Sequence, residues 1–145
     1  MTCRLCSTGF PAGEVPVAFS EFVVNELDPL KFFSGQTFHR NCLDRHEQGA
    51  RALRRYQEHL KNTARGRRFC AICGERAESR EDVLELPHLV DDAEHPLEAW
   101  NEALLHHACI PGFPERELLA QRLHALESSP RWAGAGLKAA LARLD

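Results

Sequence analysis

One set of metal-seeking side chains is written twice in this chain. Cys3-x-x-Cys6 is followed by His39-x-x-Cys42, and Cys70-x-x-Cys73 is followed by His106-x-x-Cys109. In both copies 33 positions separate the second member from the third, and a single shift of 67 residues superposes all four. The pattern uses all 6 cysteines of the chain. Two cysteines separated by two residues can turn a tight loop so that both sulfurs face one centre, with Gly9 and Gly74 supplying the permissive backbone. A histidine and a cysteine three apart share one face of the first turn of a helix. One loop and one helix start therefore supply three thiolates and an imidazole, the donor set of a closed tetrahedral zinc site. The net charge of such a site, about −1, is favoured by the free N–H groups of a helix N-terminus. Two structural zinc ions per chain are expected, on Cys3, Cys6, His39 and Cys42 and on Cys70, Cys73, His106 and Cys109. His107 is an alternative to His106, and only the repeat register favours His106.

The same shift carries apolar residues onto apolar residues: Phe19 onto Leu86, Phe22 onto Leu89, Val23 onto Val90, Leu30 onto Leu97, Phe33 onto Trp100, Phe38 onto Leu105 and Leu43 onto Ile110. A shared core as well as a shared metal site follows, and the organisation reads as a tandem duplication. The expected units are residues 1–69, residues 70–129 and a C-terminal tail over residues 130–145. Leu43 to Arg65 contains no proline and spaces Ala50, Leu53, Tyr56 and Leu60 as a helix does, predicting one long amphipathic helix. Its outer face carries Arg45, Arg51, Arg54, Arg55, Lys61 and Arg65 and runs on into Arg67 and Arg68. In the second copy Pro111, Gly112 and Pro114 interrupt the matching helix, which resumes from Glu115 with Leu118, Leu119, Leu123 and Leu126. Val15 to Val24 reads as a strand or a hairpin with Phe19 and Val23 inward, and Val83 to Val90 repeats it more weakly. Leu137, Leu141 and Leu144 suggest a short helix after the break at Ser128, Ser129 and Pro130.

A Cys-x-x-Cys turn, short strands, then Phe38, His39 and Cys42 opening a helix resemble a treble-clef zinc finger, with some similarity to LIM-type modules. The spacer is longer than in LIM proteins, and no further cysteine follows Cys42 or Cys109 to build a second site. The resemblance implies an α+β fold of two tandem treble-clef-like zinc modules, each with short hairpins and a helix after His-x-x-Cys, plus the C-terminal helix. Treble clefs serve nucleic-acid-binding, protein-binding and nuclease functions alike, so the fold does not name the activity.

Charge is unevenly placed. Residues 1–69 carry 11 Lys and Arg against 7 Asp and Glu, whereas residues 70–145 carry 7 against 14. The halves can dock on each other or face different partners. Arg51, Arg54, Arg55, Lys61 and Arg65 give the helix over 45–68 a nucleic-acid reading, which Asp44, Glu47, Glu58 and the lack of interleaved aromatics weaken. The acidic Asp91, Asp92, Glu94, Glu98 and Glu102 offer a dock for that helix instead. His39, Asn41 and His46 superficially match the letters of an HNH nuclease, with His46 two helical turns beyond His39, but four protein ligands close a zinc site to substrate. No catalytic triad order, phosphate loop or His-Glu-x-x-His helix is present. The chain reads as a non-enzymatic, zinc-stabilised binding, adaptor or regulatory protein whose partner is a protein or a nucleic acid. A thiol redox sensor that releases zinc is a further alternative. The first residues form no apolar stretch of signal length, and no run of 18 apolar residues occurs, so the expectation is a cytoplasmic protein with no membrane partner.

Overall fold

The computed structural model describes residues 1–64 and 68–145. Arg65, the last of the basic residues given a nucleic-acid reading, lies outside the described residues. The described residues form a small α+β protein with two short antiparallel ladders, four helices and two Cys3His clusters. No helix among the described residues is long and apolar enough to cross a membrane.

In the first copy β1 (Val17–Ala18) pairs with β2 (Thr37–Phe38), Val17 opposite Phe38. In the second, β3 (Val83–Glu85) pairs with β4 (Leu104–His106), Leu84 opposite Leu105. These pairings are the same pairing moved by 67 residues. The stretch Val15 to Val24 therefore does not fold back on itself. Only Val17 and Ala18 are in a strand, and they pair with the strand that delivers His39. The correspondence extends to single-turn helices at Lys31–Phe33 and Glu98–Trp100. It extends also to the groups that hold the chain around them. Ser34 Oγ accepts the N–H groups of Phe22 and Val23, and its counterpart Asn101 Oδ1 accepts those of Leu89 and Val90.

The continuous helix expected from Leu43 to Arg65 is two helices, α1 (Arg40–Arg45) and α2 (Gly49–Asn62). His46 turns extended, with φ −77° and ψ 135°. Its Nδ1 accepts the N–H of Gln48 at 3.0 Å, and its ring lies against Phe32 and Phe33. Local hydrogen bonding and aromatic packing outweigh helix continuation here. Gly49 permits the sharp re-entry, since a Cβ there would stand 2.0 Å from the carbonyl oxygen of Leu43.

The second copy breaks at the same place. Phe113 replaces His46, packs on Trp100 and donates its N–H to Ile110, and α3 (Arg116–Glu127) begins 67 residues after α2. The interruption is thus a property of both copies and not of the second alone. What the prolines change is the turn that carries Cys109. Pro111 has no N–H to give the His107 carbonyl, and the turn over His107–Cys109 is 3-10 in place of the α-helical α1.

Each copy has its own core. The first is centred on Phe19, Leu30, Phe33, Phe38, Leu43 and Ala52. The second gathers Leu97, Leu105, Leu119, Leu123 and Leu126 with Trp132 and with Leu137, Leu141 and Leu144 around α4 (Lys138–Leu144). The C-terminal segment is therefore built into the second core, although it has no counterpart in the repeat.

Between the copies, α2 turns Arg51, Arg55 and His59 towards the second half. Arg55, 5% exposed, pairs with Asp28 of its own half and with both oxygens of Asp91 at 2.9 Å. Arg51 reaches Asp91 at 2.6 Å, and His59 meets Glu102. Buried Asn25 closes the other side: its Nδ2 donates to the Arg131 carbonyl, and its Oδ1 accepts the N–H of Ala133.

Candidate metal centres

The loop Cys3 to Ser7 brings the first two sulfurs to the mouth of the β1·β2 ladder. Ser7 donates its N–H back to the Cys3 carbonyl at 2.8 Å and takes φ 62°, as Gly74 does at φ 76° in the second copy. Gly74 thus occupies the left-handed position expected of it. In the first copy that position belongs to Ser7, and Gly9 has another use: its carbonyl oxygen receives Nε2–H of His39 at 2.9 Å. Phe10 packs on the same imidazole, ring centres 4.6 Å apart. With its proton on Nε2, His39 presents the lone pair of Nδ1 to the sulfurs, the arrangement in which an outer carbonyl orients a metal-binding imidazole.

The four donor atoms of each cluster, from Cys3, Cys6, His39 and Cys42 and from Cys70, Cys73, His106 and Cys109, all lie within 4.8 Å of one another. His39 Nδ1 stands 3.2 Å from Cys6 Sγ and 3.7 Å from Cys42 Sγ. His106 Nδ1 stands 3.3 Å from Cys73 Sγ and 3.9 Å from Cys109 Sγ. Bonds of about 2.0 to 2.3 Å to one tetrahedral zinc would place such donors about 3.5 to 3.8 Å apart. In each copy the backbone N–H of the histidine also points at the innermost sulfur, His39 to Cys3 and His106 to Cys70, both at 3.3 Å. It is His106, and not His107, whose ring joins the sulfurs.

Electrostatics separates the innermost thiol from the last one in the same way in both clusters. Burial pushes Cys3 and Cys70 up, but backbone N–H bonds outweigh it, from Cys6, His39 and Leu5 in one case and from His106, Cys73 and Ile72 in the other. The net result is about 6 for each. Cys42 and Cys109 are pushed up to about 11, first by burial and then by the neighbouring sulfurs. Three thiols this close cannot all ionise without a cation, so a bound divalent metal is the natural partner of the fully deprotonated cluster. The two clusters are compatible with two bound metal ions.

The remaining sequence candidates are scattered. Arg51 and Arg55 point at Asp91, Arg54 and Lys61 are exposed, and His46 is packed between Phe32 and Phe33 and not at the metal cluster. Residues that composition and spacing did not single out build the frame: Thr8 beside Cys6, and the paired acceptors Ser34 and Asn101. Extending the register of 67 from apolar to polar positions would have found the last pair. Comparison with family models, with curated proteins and with solved structures finds no match to this chain.

Proposed function

We propose that this chain is a non-enzymatic scaffold, a tandem pair of treble-clef-like modules each closed by a structural zinc ion, that presents surfaces away from the metals to a binding partner in the cytoplasm. The observation that carries the reading is the duplicated donor geometry. Three sulfurs and one oriented imidazole nitrogen converge twice, at matching separations and with a matching N–H to the innermost sulfur. Four protein donors complete a tetrahedron and leave no open position for substrate or water, which favours a structural over a catalytic role. Zinc, when bound, supplies the charge that lets all three thiolates coexist. The chain's own residues fix the His39 tautomer through the Gly9 carbonyl, cap the inner sulfurs with N–H groups and exclude solvent from Cys3 and Cys70.

A protein partner is favoured over nucleic acid because two arginines of the basic helix, Arg51 and Arg55, are engaged by Asp91 and not free for phosphates. Metal analysis of protein purified under reducing conditions without chelator tests the reading. About two zinc ions per chain support it, and none would overturn it. Binding to DNA and RNA, titrated against salt, tests the partner: affinity that falls steeply with salt and disappears when Arg51, Arg54 and Arg55 become Ala would restore the nucleic-acid reading.

A further inference from the structure

The repeat offers a comparison within one molecule, because a face covered in the second copy is open in the first. In the second copy α4 lies along α3 and touches β3. Asp145, the residue that follows it, is held by His124 Nε2 at 3.0 Å. That places α4 on the side of α3 carrying Ala120, Leu123 and His124, and beneath this cover Ala120, Leu123 and Leu84 are 7%, 0% and 7% exposed. The residues 67 positions earlier are Leu53, Tyr56, Gln57 and Val17. Leu53, Tyr56 and Val17 are packed against the first core yet only partly buried. Leu60, on the same side of α2, is 49% exposed. No described segment plays the part of α4 there.

We infer that this face of α2 and β1 is the docking site for a short amphipathic helix of a partner protein, seated as α4 is seated on the second copy. The inference rests on the scaffold reading above and names the class of partner. The template for the occupant is α4 with its N-cap, where Leu137, Leu141 and Leu144 repeat at helical spacing. The rim specifies its charge. Arg54 and Lys61 are exposed at the edge of Leu53 and Leu60, so the partner's helix carries leucines on one side and acidic residues beside them.

The probe is a synthetic peptide of residues 136–145 with Lys138 and Arg143 replaced by Glu, added to the isotopically labelled, zinc-loaded full chain. Backbone NMR shifts are expected to move along α2 and at Val17 while those of α3 stay in place. Leu60→Asp is expected to weaken binding about tenfold or more, the scale of losing a central apolar contact. Leu118→Asp, an equally exposed leucine on α3, leaves it unchanged. Reversing the rim with Arg54→Glu and Lys61→Glu transfers the preference to the unmodified basic peptide. The inference is overturned by no movement at millimolar peptide, by shifts away from α2, or by Leu60→Asp and Leu118→Asp behaving alike. It is equally overturned if the face is covered by a second copy, seen as a dimer in sedimentation that Leu60→Asp dissociates. Zinc measured on the same sample separates the outcomes, because two bound ions with no peptide binding would sink this inference and leave the zinc scaffold standing.

Discussion

Arg55 shows how much a single residue's meaning depends on its surroundings. It sits between Asp28, itself nearly buried, and the half-exposed Asp91. Removing it would strand a buried carboxylate, which costs about 3 to 5 kcal/mol. Arg51, four residues earlier, pairs with the same Asp91 through exposed atoms, and such pairs contribute about 0 to 1 kcal/mol. Chemical denaturation of Arg55→Ala and Arg51→Ala should therefore separate by several-fold in stability loss, and equal losses would contradict the buried network. Asp28 adds a second duty, since its other oxygen accepts the N–H of Leu30. Gly49 makes a different residue-scale point. A methyl group there would overlap the Leu43 carbonyl, so Gly49→Ala should lower stability by about 1 to 3 kcal/mol or more, as overpacking does. A thermal melt unchanged by this substitution would mean that α1 and α2 are joined differently.

At the scale of elements, the break between α1 and α2 separates two jobs. α1 carries Cys42 in its first turn, and α2 packs on the aromatic cluster of Phe19 and Phe22 through Tyr56. Because the break recurs before α3, the second copy keeps its packing helix even though the turn carrying Cys109 is reduced to 3-10. The element added at the end, α4, brings Leu137 and Leu144 to full burial. Leu137→Ala should cost about 2 to 5 kcal/mol, the range for truncating a core leucine. The loss should be local: hydrogen exchange should quicken in α3 and α4 and not at Phe33 or Phe38. Uniform loss of protection would show that the two cores unfold as one.

For the whole molecule, the proposed zinc sites would couple metal binding to folding through the cysteines. Cys3 and Cys70, held at about 6, are already largely ionised at neutral pH, while Cys42 and Cys109, at about 11, keep their protons until a cation displaces them. Loading the metal-free chain at neutral pH should therefore release at least one proton per site, and zinc affinity should rise with pH. A dye-based proton count during titration checks this. Chelation should abolish the near-ultraviolet circular dichroism of both halves, because neither short ladder can hold its loop without the metal.

The sequence by itself determined the donor sets, their register and the apolar positions under them, because metal ligation and core packing demand particular residue types at fixed separations. It also showed that charge was divided between the halves. It did not show that α2 is a separate helix, since the break depends on the His46 ring packing on Phe32 and Phe33, contacts made across the fold. The C-terminal segment likewise could be read as a helix, yet only the tertiary structure made Leu137 and Leu144 core residues. The most consequential decision was left to the packing of the two halves. Arginines spaced along one helix face look the same in sequence whether they meet solvent, phosphate or Asp91, because Coulomb attraction acts on distance in space and not along the chain.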